Sequence, residues 1–145
     1  MNAPAAIARD IDLAGVRLTP DASGALWWAE MRMLIAADLH LEKGSSYAAR
    51  GQMLPPYDTN ATLSRVEGAC ARLRPREVVL LGDTFHDRKA EERLADDARA
   101  RLTRLIAAVE TWTWILGNHD PAPPQGLGGR VAEEIYAGPL VLRHE

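Results

Sequence analysis

Every histidine of this chain lies in a short cluster that also contains acidic or amide side chains. Each cluster directly follows an apolar run that is typical of a β-strand. A side chain just beyond the end of a buried strand points into the crevice where α/β folds bind their ligands. Aspartate, histidine and asparagine collected there by several strands form a candidate site for two metal ions. The clusters are Asp38-Leu39-His40, Gly82 to Asp87, Gly117-Asn118-His119-Asp120 and Arg143-His144-Glu145.

The first cluster offers two metal donors on one side of an extended chain. Asp38 and His40 are two positions apart, so on a strand their side chains point to the same face. A carboxylate oxygen beside an imidazole nitrogen suits Mn²⁺, Fe or Zn²⁺ better than Ca²⁺ or Mg²⁺ alone. The alternative is a strand-end carboxylate beside a surface histidine, and this pair alone does not decide between the two.

The second cluster begins with Gly82 and Asp83 after a run of four aliphatic residues, Val78 to Leu81. A glycine at this point lets the backbone approach a ligand closely. A carboxylate such as that of Asp83 can bridge two cations about 3.5–4 Å apart, the spacing that two-metal hydrolysis uses. A helix cap or a turn is the alternative role for this residue.

The third cluster is the most specific of the four. Asn118 offers a neutral amide oxygen as a ligand, His119 could donate a proton, and Asp120 could orient its ring. The alternative is a polar turn after a strand. His144, which follows the apolar run Leu140–Leu142, could supply a further imidazole ligand or be an exposed terminal residue.

The elements between the clusters predict an α/β fold. Strands over 31–37, 77–81 and 111–116 alternate with a helix that begins at Asp58 or Thr59 and a helix over about 90–109. This alternation implies right-handed crossovers and a mainly parallel core sheet. Hairpins should add antiparallel strands at both ends. Their strands are predicted at Val16–Leu18, Ala25–Trp28, Val131–Tyr136 and Leu140–Leu142.

Composition and charge limit the classes of function. The 145 residues are enough for one domain, and no apolar run approaches the length of a membrane span. The start of the chain lacks the pattern of a signal peptide, so a cytoplasmic protein is expected. A net charge of −3 argues against nucleic-acid binding by bulk electrostatics. It does not exclude a nuclease, because bound divalent cations change the sign of the local field.

The aromatic residues and the cysteine have simple predicted roles. Trp112 and Trp114 share a strand face, and the apolar run around them favours packing beneath a helix over stacking on bases. Trp27 and Trp28 must point to opposite faces of their strand. Cys70 is predicted to be a small buried hydrophobe on a helix rather than a reactive thiol.

Taken together, the clusters resemble the calcineurin-like metallophosphoesterase superfamily, whose motifs run Asp-x-His, Gly-Asp, Gly-Asn-His-(Asp/Glu) and a strand-end His. The resemblance implies an α/β/β/α sandwich with mixed sheets. Within that superfamily, three stretches are similar to the ligase-associated DNA damage response endonuclease family. They are Ala37 to Gly44, Leu54 to Thr59 and Leu80 to Asp87.

The resemblance also implies a cofactor, namely two divalent metal ions, with Mn²⁺ the first choice and Fe or Zn²⁺ as alternatives. Asp38, His40 and Asp83 would hold one metal. Asp83 would be shared with the second metal, whose other ligands would be Asn118 and His144.

The implied catalytic residues are His119 and Asp120. His119 would stabilise the transition state or protonate the leaving oxygen, with Asp120 behind it. Many superfamily members carry Asp where this chain has His86, so the role of His86 stays open between a substrate contact and a structural histidine.

The last motif of the superfamily, Gly-His-x-His, is absent. We therefore expect residues 1–145 to be a single metallophosphoesterase domain that represents the N-terminal portion of a longer protein. Weaker metal binding and an unfinished sheet with an exposed edge should follow.

The predicted function is metal-dependent hydrolysis of phosphodiester bonds by a DNA endonuclease linked to DNA repair. The expected partners are DNA or another phosphodiester, together with a DNA ligase and other repair proteins. One alternative is a phosphomonoesterase or nucleotide phosphohydrolase of the same superfamily. Another is a non-catalytic module that binds a partner in a DNA-repair complex.

Overall fold

The computed structural model describes residues 9–37, 58–82, 96–116 and 126–144. Within these ranges it contains nine β-strands and two α-helices. The strands are β1 Ile11–Leu13, β2 Val16–Pro20, β3 Leu26–Trp28, β4 Met33–Ala36, β5 Glu77–Leu81, β6 Thr111–Ile115, β7 Arg130–Ala132, β8 Glu134–Ala137 and β9 Leu140–Arg143. The helices are α1 Asp58–Leu73 and α2 Asp96–Ala107.

Seven strands form one mixed sheet in which the strand order follows the chain from β1 to β7. Strands β1 to β4 pair antiparallel, and strands β4 to β7 pair parallel. Parallel neighbours need a crossover connection, and α1 and α2 lie in the chain between the pairs β4–β5 and β5–β6. The predicted α/β class, with a parallel core and an antiparallel opening hairpin, is confirmed.

Both helices pack on one face of this sheet. Successive side chains of a strand point to opposite faces, so Leu34, Val78 and Leu80 share the helical face. Leu63 of α1 and Leu102 of α2 pack into the same cluster. Burial of each large aliphatic side chain contributes about 1.5–3 kcal/mol to folding, so this cluster is a main source of stability.

The hairpin formed by β8 and β9 covers the opposite face of the sheet. Its inward residues Ala137, Leu140 and Leu142 pack in one buried cluster with Ile35 of β4 and Val79 of β5. The described residues therefore form three layers, which are helices, a seven-stranded sheet and a two-stranded sheet. The second helical layer of the predicted four-layer sandwich is not among the residues that the structure describes.

Two sequence predictions differ from the observed strands. The single strand predicted over Val131–Tyr136 is interrupted at Glu133, and its two halves join different sheets. Strand propensity marks residues as extended, but long-range packing decides which sheet they join. Strand β1 was not predicted, because its three residues are all exposed and carry no pattern of a buried face.

The helix predictions agree with the structure where it describes them. Helix α1 begins at Asp58, as predicted, and ends before Pro75. Helix α2 ends at Ala107, two residues earlier than predicted, and the predicted start near Ala90 lies outside the described residues. None of the described helices is long and apolar enough to cross a membrane.

The tryptophans pack as predicted. Trp28 lies on the hairpin face, whereas Trp27 packs against the helical face. Trp112 and Trp114 are both buried beneath the helices, with ring centroids 5.8 Å apart, so packing rather than base stacking is confirmed for them. The indole Nε1 of Trp114 donates a hydrogen bond to the carbonyl of Gly128 at 2.7 Å.

Two further side chains tie α1 to its surroundings. Cys70 is partly rather than fully buried against the helical core, and burial raises the pKa of its thiol to about 11, which agrees with the predicted packing role. Arg72 donates two hydrogen bonds, of 3.2 and 2.9 Å, to the carboxylate of Asp21 in the β2–β3 turn. These bonds hold the pKa of Asp21 well below its usual range, so the carboxylate keeps its charge at a lower pH than an ordinary aspartate does.

The glycines beside Trp114 give a test of this packing. A Cβ at Gly129 would lie 2.8 Å from Trp114 Nε1 and 3.0 Å from the carbonyl oxygen of Trp112, and its φ is +83°. Gly126 has a similar φ of +74° but open space around it. We expect Gly126→Ala to lower the free energy of unfolding by about 1–2 kcal/mol through backbone strain. Gly129→Ala should lower the free energy of unfolding by roughly 1–3 kcal/mol more than Gly126→Ala does, because the added Cβ overpacks the tryptophans.

Urea denaturation of both variants checks this prediction. If both variants lose the same unfolding free energy, then a Cβ at position 129 does not disturb the packing of Trp112 and Trp114, and the prediction is wrong.

Candidate metal centre

The carboxyl ends of β4, β5 and β6 lie at one edge of the large sheet. The parallel register pairs Ala36 with Leu80 and Leu81 with Ile115, so the three strands end almost level. Adjacent strands are about 4.8 Å apart, which places β4 and β6 roughly 10 Å from each other with β5 between them. Three chain segments therefore leave the sheet within the span of a small binding site.

Six of the seven predicted site residues follow these strand ends in the chain and lie outside the described residues. The last described residues before them are Ala37, Gly82 and Leu116. The structure therefore brings together the strands that lead to the site, and it does not describe the side chains themselves. The six residues are Asp38, His40, Asp83, Asn118, His119 and Asp120, and His86 also lies outside the described residues.

The order of the strands bears on the predicted bridging role of Asp83. This residue follows β5, the middle strand, whereas Asp38 and His40 follow β4 and Asn118 follows β6. A ligand shared by two metals must lie between the ligands that each metal has to itself. The observed order β4-β5-β6 meets that requirement.

Gly82 marks the point where the chain leaves β5. It is buried and has a φ of +77°, a conformation that glycine adopts readily and that a residue with a Cβ adopts only at a cost in free energy. Glycine was predicted here because it lets the backbone approach a ligand closely. The positive φ gives a second reason for glycine at this position.

His144 is the predicted ligand that the structure does describe. It follows β9 in the second sheet, yet its ring reaches across to the first sheet, where Nδ1 lies 2.8 Å from the carbonyl oxygen of Leu81. Leu81 is the last residue of β5, two positions before Asp83. The partly buried imidazole is thus held at the central strand end of the candidate site.

This hydrogen bond determines the tautomer of His144. A carbonyl oxygen only accepts hydrogen bonds, so Nδ1 must carry the proton. In the neutral ring the lone pair is then on Nε2, the nitrogen that can bind a metal. Metal-binding histidines commonly donate their other N–H to a backbone carbonyl, which fixes the orientation of the ring.

The donor set fits divalent metal ions. Carboxylate, imidazole and amide groups follow the three strand ends, and the ring of His144 adds a nitrogen oriented by a second-sphere carbonyl. Within the described residues there is no group of three or more His, Cys, Asp or Glu side chains that could hold a metal, since His144 is the only predicted ligand among them.

Three parallel strand ends at one edge of a sheet, with a histidine from a second sheet held beside the middle one, form the frame of a phosphoester hydrolase site. The chain matches the Calcineurin-like phosphoesterase family over residues 31–141 and belongs to that family. Its mixed α/β sheet with two helices is the fold of the family. The sequence resemblance to the calcineurin-like superfamily is therefore confirmed.

A similar solved structure is the crystal structure of Pseudomonas putida nuclease MPE, with 28% sequence identity and a TM-score of 0.74. The match covers 94% of this chain and 66% of the nuclease chain, so the present chain spans slightly less than two thirds of that relative. Comparison with curated protein sequences gives no significant match.

The sequence predicted His144 as a ligand but did not predict its hydrogen bond to the carbonyl of Leu81. No signal in the sequence could have indicated that contact, because it joins two sheets across 63 positions of the chain. The strand-end position of His144, by contrast, was visible as the apolar run that precedes it.

Replacement of His144 tests its assignment as a ligand. Asn can place an amide N–H near the position of Nδ1, so His144→Asn should keep the bond to Leu81 while removing the nitrogen that binds metal. Loss of a second-sphere partner weakens metal affinity by about 10–100-fold, and loss of a direct ligand should weaken the second Mn²⁺ at least as much.

Calorimetric titration with Mn²⁺, together with elemental analysis of the loaded protein, measures this effect. The matched control is Arg143→Gln, which alters the exposed neighbour of His144 on β9 and should leave two bound ions. Two ions bound with unchanged affinity in His144→Asn would remove His144 from the ligand set.

Proposed function

We propose that this chain is a metal-dependent phosphodiesterase that uses two divalent cations to cleave DNA. The observation that carries the proposal is the convergence of three strand ends with the ring of His144 at the middle one. Membership of the phosphoesterase family and similarity to a nuclease support hydrolysis of phosphoesters, and the nuclease supports a nucleic-acid substrate.

The proposed metal ligands are those implied by the family motifs. Asp38, His40 and Asp83 would hold one ion, and Asp83, Asn118 and His144 would hold the other. When bound, the two cations supply charge neutralisation at the phosphate and a reactive nucleophile at neutral pH.

The residues of the chain then have three tasks. Asp83, which follows the central strand, would keep the two metal positions together. His144 supplies a nitrogen whose direction is set by its bond to Leu81. His119 donates a proton to the leaving oxygen, and Asp120 orients its ring.

We further infer that the substrate is DNA and that the chain acts in DNA repair alongside a ligase. The support is the similarity of Ala37 to Gly44, Leu54 to Thr59 and Leu80 to Asp87 to the ligase-associated endonuclease family. Mn²⁺ is the proposed metal and the cytoplasm the proposed compartment. The net charge of −3 means that bound cations, rather than a basic surface, would attract the phosphate backbone.

Hydrolysis of a chromogenic phosphodiester in the presence of Mn²⁺ tests this function. We expect the diester to be cleaved faster than the matching monoester, and we expect nicking of plasmid DNA under the same conditions. Asp83→Asn should reduce diester turnover at least about 100-fold, because removing the shared ligand removes several kcal/mol of transition-state stabilisation.

The matched control is Asp10→Asn, which makes the same chemical change at an exposed position before β1 and should leave turnover unchanged. Faster cleavage of the monoester would favour a phosphomonoesterase of the same family. A folded chain that binds Mn²⁺ but cleaves neither ester would contradict the proposed enzyme and favour the partner-binding module.

A further inference from the structure

The edge of the sheet opposite the metal centre contains a second cleft. It lies between α1 and α2 and has a volume of about 570 Å³. Arg32 precedes β4, Arg74 and Pro75 precede β5, and Val109 precedes β6, so these lining residues mark the amino edge of the sheet. Strand β4 alone separates the two edges by roughly 13 Å over its four residues. The cleft is therefore distinct from the candidate metal centre.

The lining of the cleft is strongly basic. It includes four arginines, namely Arg32, Arg74, Arg101 and Arg104, and a single acidic residue, Glu67. Arg101 forms an ion pair with Glu67. Among the described residues, no carboxylate lies within ion-pairing distance of the other three guanidinium groups. Three positive charges thus line one cavity, and none of them is ion-paired with an acid in the part of the chain that the structure describes.

Glu110 offsets part of this positive charge but is bound elsewhere, because its carboxylate accepts hydrogen bonds of 3.0 and 3.5 Å from Arg76. Those bonds are the main cause of the lowered pKa of Glu110, and the nearby charge of Arg32 is a smaller one. A guanidinium group has five N–H donors in a planar fork that matches phosphate oxygens, so arginine clusters of this kind suit phosphorylated ligands.

Two of the cleft arginines have a left-handed backbone conformation. Three described residues other than glycine have positive φ, and two of them are Arg32 at +48° and Arg74 at +50°. The two are joined directly, since Arg32 Nη2 donates a hydrogen bond of 2.6 Å to the carbonyl of Arg74. Arg74 directly follows the last residue of α1, where its N–H donates to the carbonyl of Cys70 in a common left-handed helix end, and Arg32 lies in the turn between β3 and β4. The two conformations thus fix where these guanidinium groups leave the backbone.

The rest of the lining is apolar. Cys70 and Ala71 contribute from α1, Leu105 from α2, and Pro75 and Val109 from the segments that enter β5 and β6. A cavity of this volume lies within the range of about 300–1,000 Å³ that is typical of small-molecule sites. Such a site suits a ligand with a charged end and an apolar body.

We propose that this cleft binds a nucleotide, with its phosphates on Arg32, Arg74 and Arg104 and its base against the apolar wall. A small ligand is favoured over a nucleic-acid strand because the basic residues line one cleft between two helices and the chain as a whole is acidic. The site is independent of the proposed hydrolysis, because it shares no residue with the metal centre.

Calorimetric titration of the full chain with ADP tests the proposal. EDTA in the buffer prevents the phosphates from binding through a divalent cation at the opposite edge. ADP should bind more tightly than either adenosine or pyrophosphate, because only ADP occupies both parts of the cleft.

Arg74→Gly is the most informative variant. Glycine adopts the observed φ without strain, so this change should keep or raise the free energy of unfolding while it removes a guanidinium group. ADP affinity should fall about tenfold or more, as expected for loss of a charge-assisted hydrogen bond. Ala14→Gly, at a φ of +53° in the β1–β2 turn, relieves the same strain far from the cleft and should leave affinity unchanged.

Two further variants complete the test. Arg104→Gln should also weaken ADP binding, whereas Asp83→Asn, at the metal centre, should not. The proposal is overturned by absence of ADP binding or by binding that both arginine variants leave unchanged. Binding lost in Asp83→Asn, or pyrophosphate binding as tight as that of ADP, would equally overturn it. The nucleotide proposal does not depend on the proposed hydrolysis, so a chain that fails to cleave the diester should still bind ADP as described.

Discussion

Parallel pairing of β4, β5 and β6 is the constraint on which the rest of this structure depends. Because the three strands run in the same direction and end almost level, their following segments leave the sheet at one edge. Parallel strands are usually buried on both faces, and here helices pack against one face of these strands and a hairpin against the other. The fold therefore brings together three strand ends that are up to 79 positions apart in the chain, as Ala36 and Ile115 are.

The second sheet does more than cover a hydrophobic face. Inward residues of β8 and β9 pack onto β4 and β5, and this packing sets the position of the residue that follows β9. His144 consequently meets the carbonyl of Leu81, a contact between two sheets that fixes both its position and its tautomer. Core packing of the hairpin thus orients a candidate metal ligand.

Much of this arrangement could be predicted from the sequence. Apolar runs located β4, β5 and β6, and the residues after them carried the family resemblance that the family match confirms. The division of 131–136 between two sheets could not be predicted, because alternation of apolar residues does not specify a strand partner. The basic cleft also escaped prediction. Its one local signal was the run Arg72-Leu73-Arg74-Pro75-Arg76, and its other arginines come from distant segments.

Anomalous diffraction from crystals of the full chain soaked in Mn²⁺ tests the central claim most directly. The account predicts two manganese peaks about 3.5–4 Å apart at the carboxyl end of β5. One of them should lie within coordination distance of Nε2 of His144. Manganese bound elsewhere, or a pair of ions at that strand end with His144 outside coordination distance, would contradict the account.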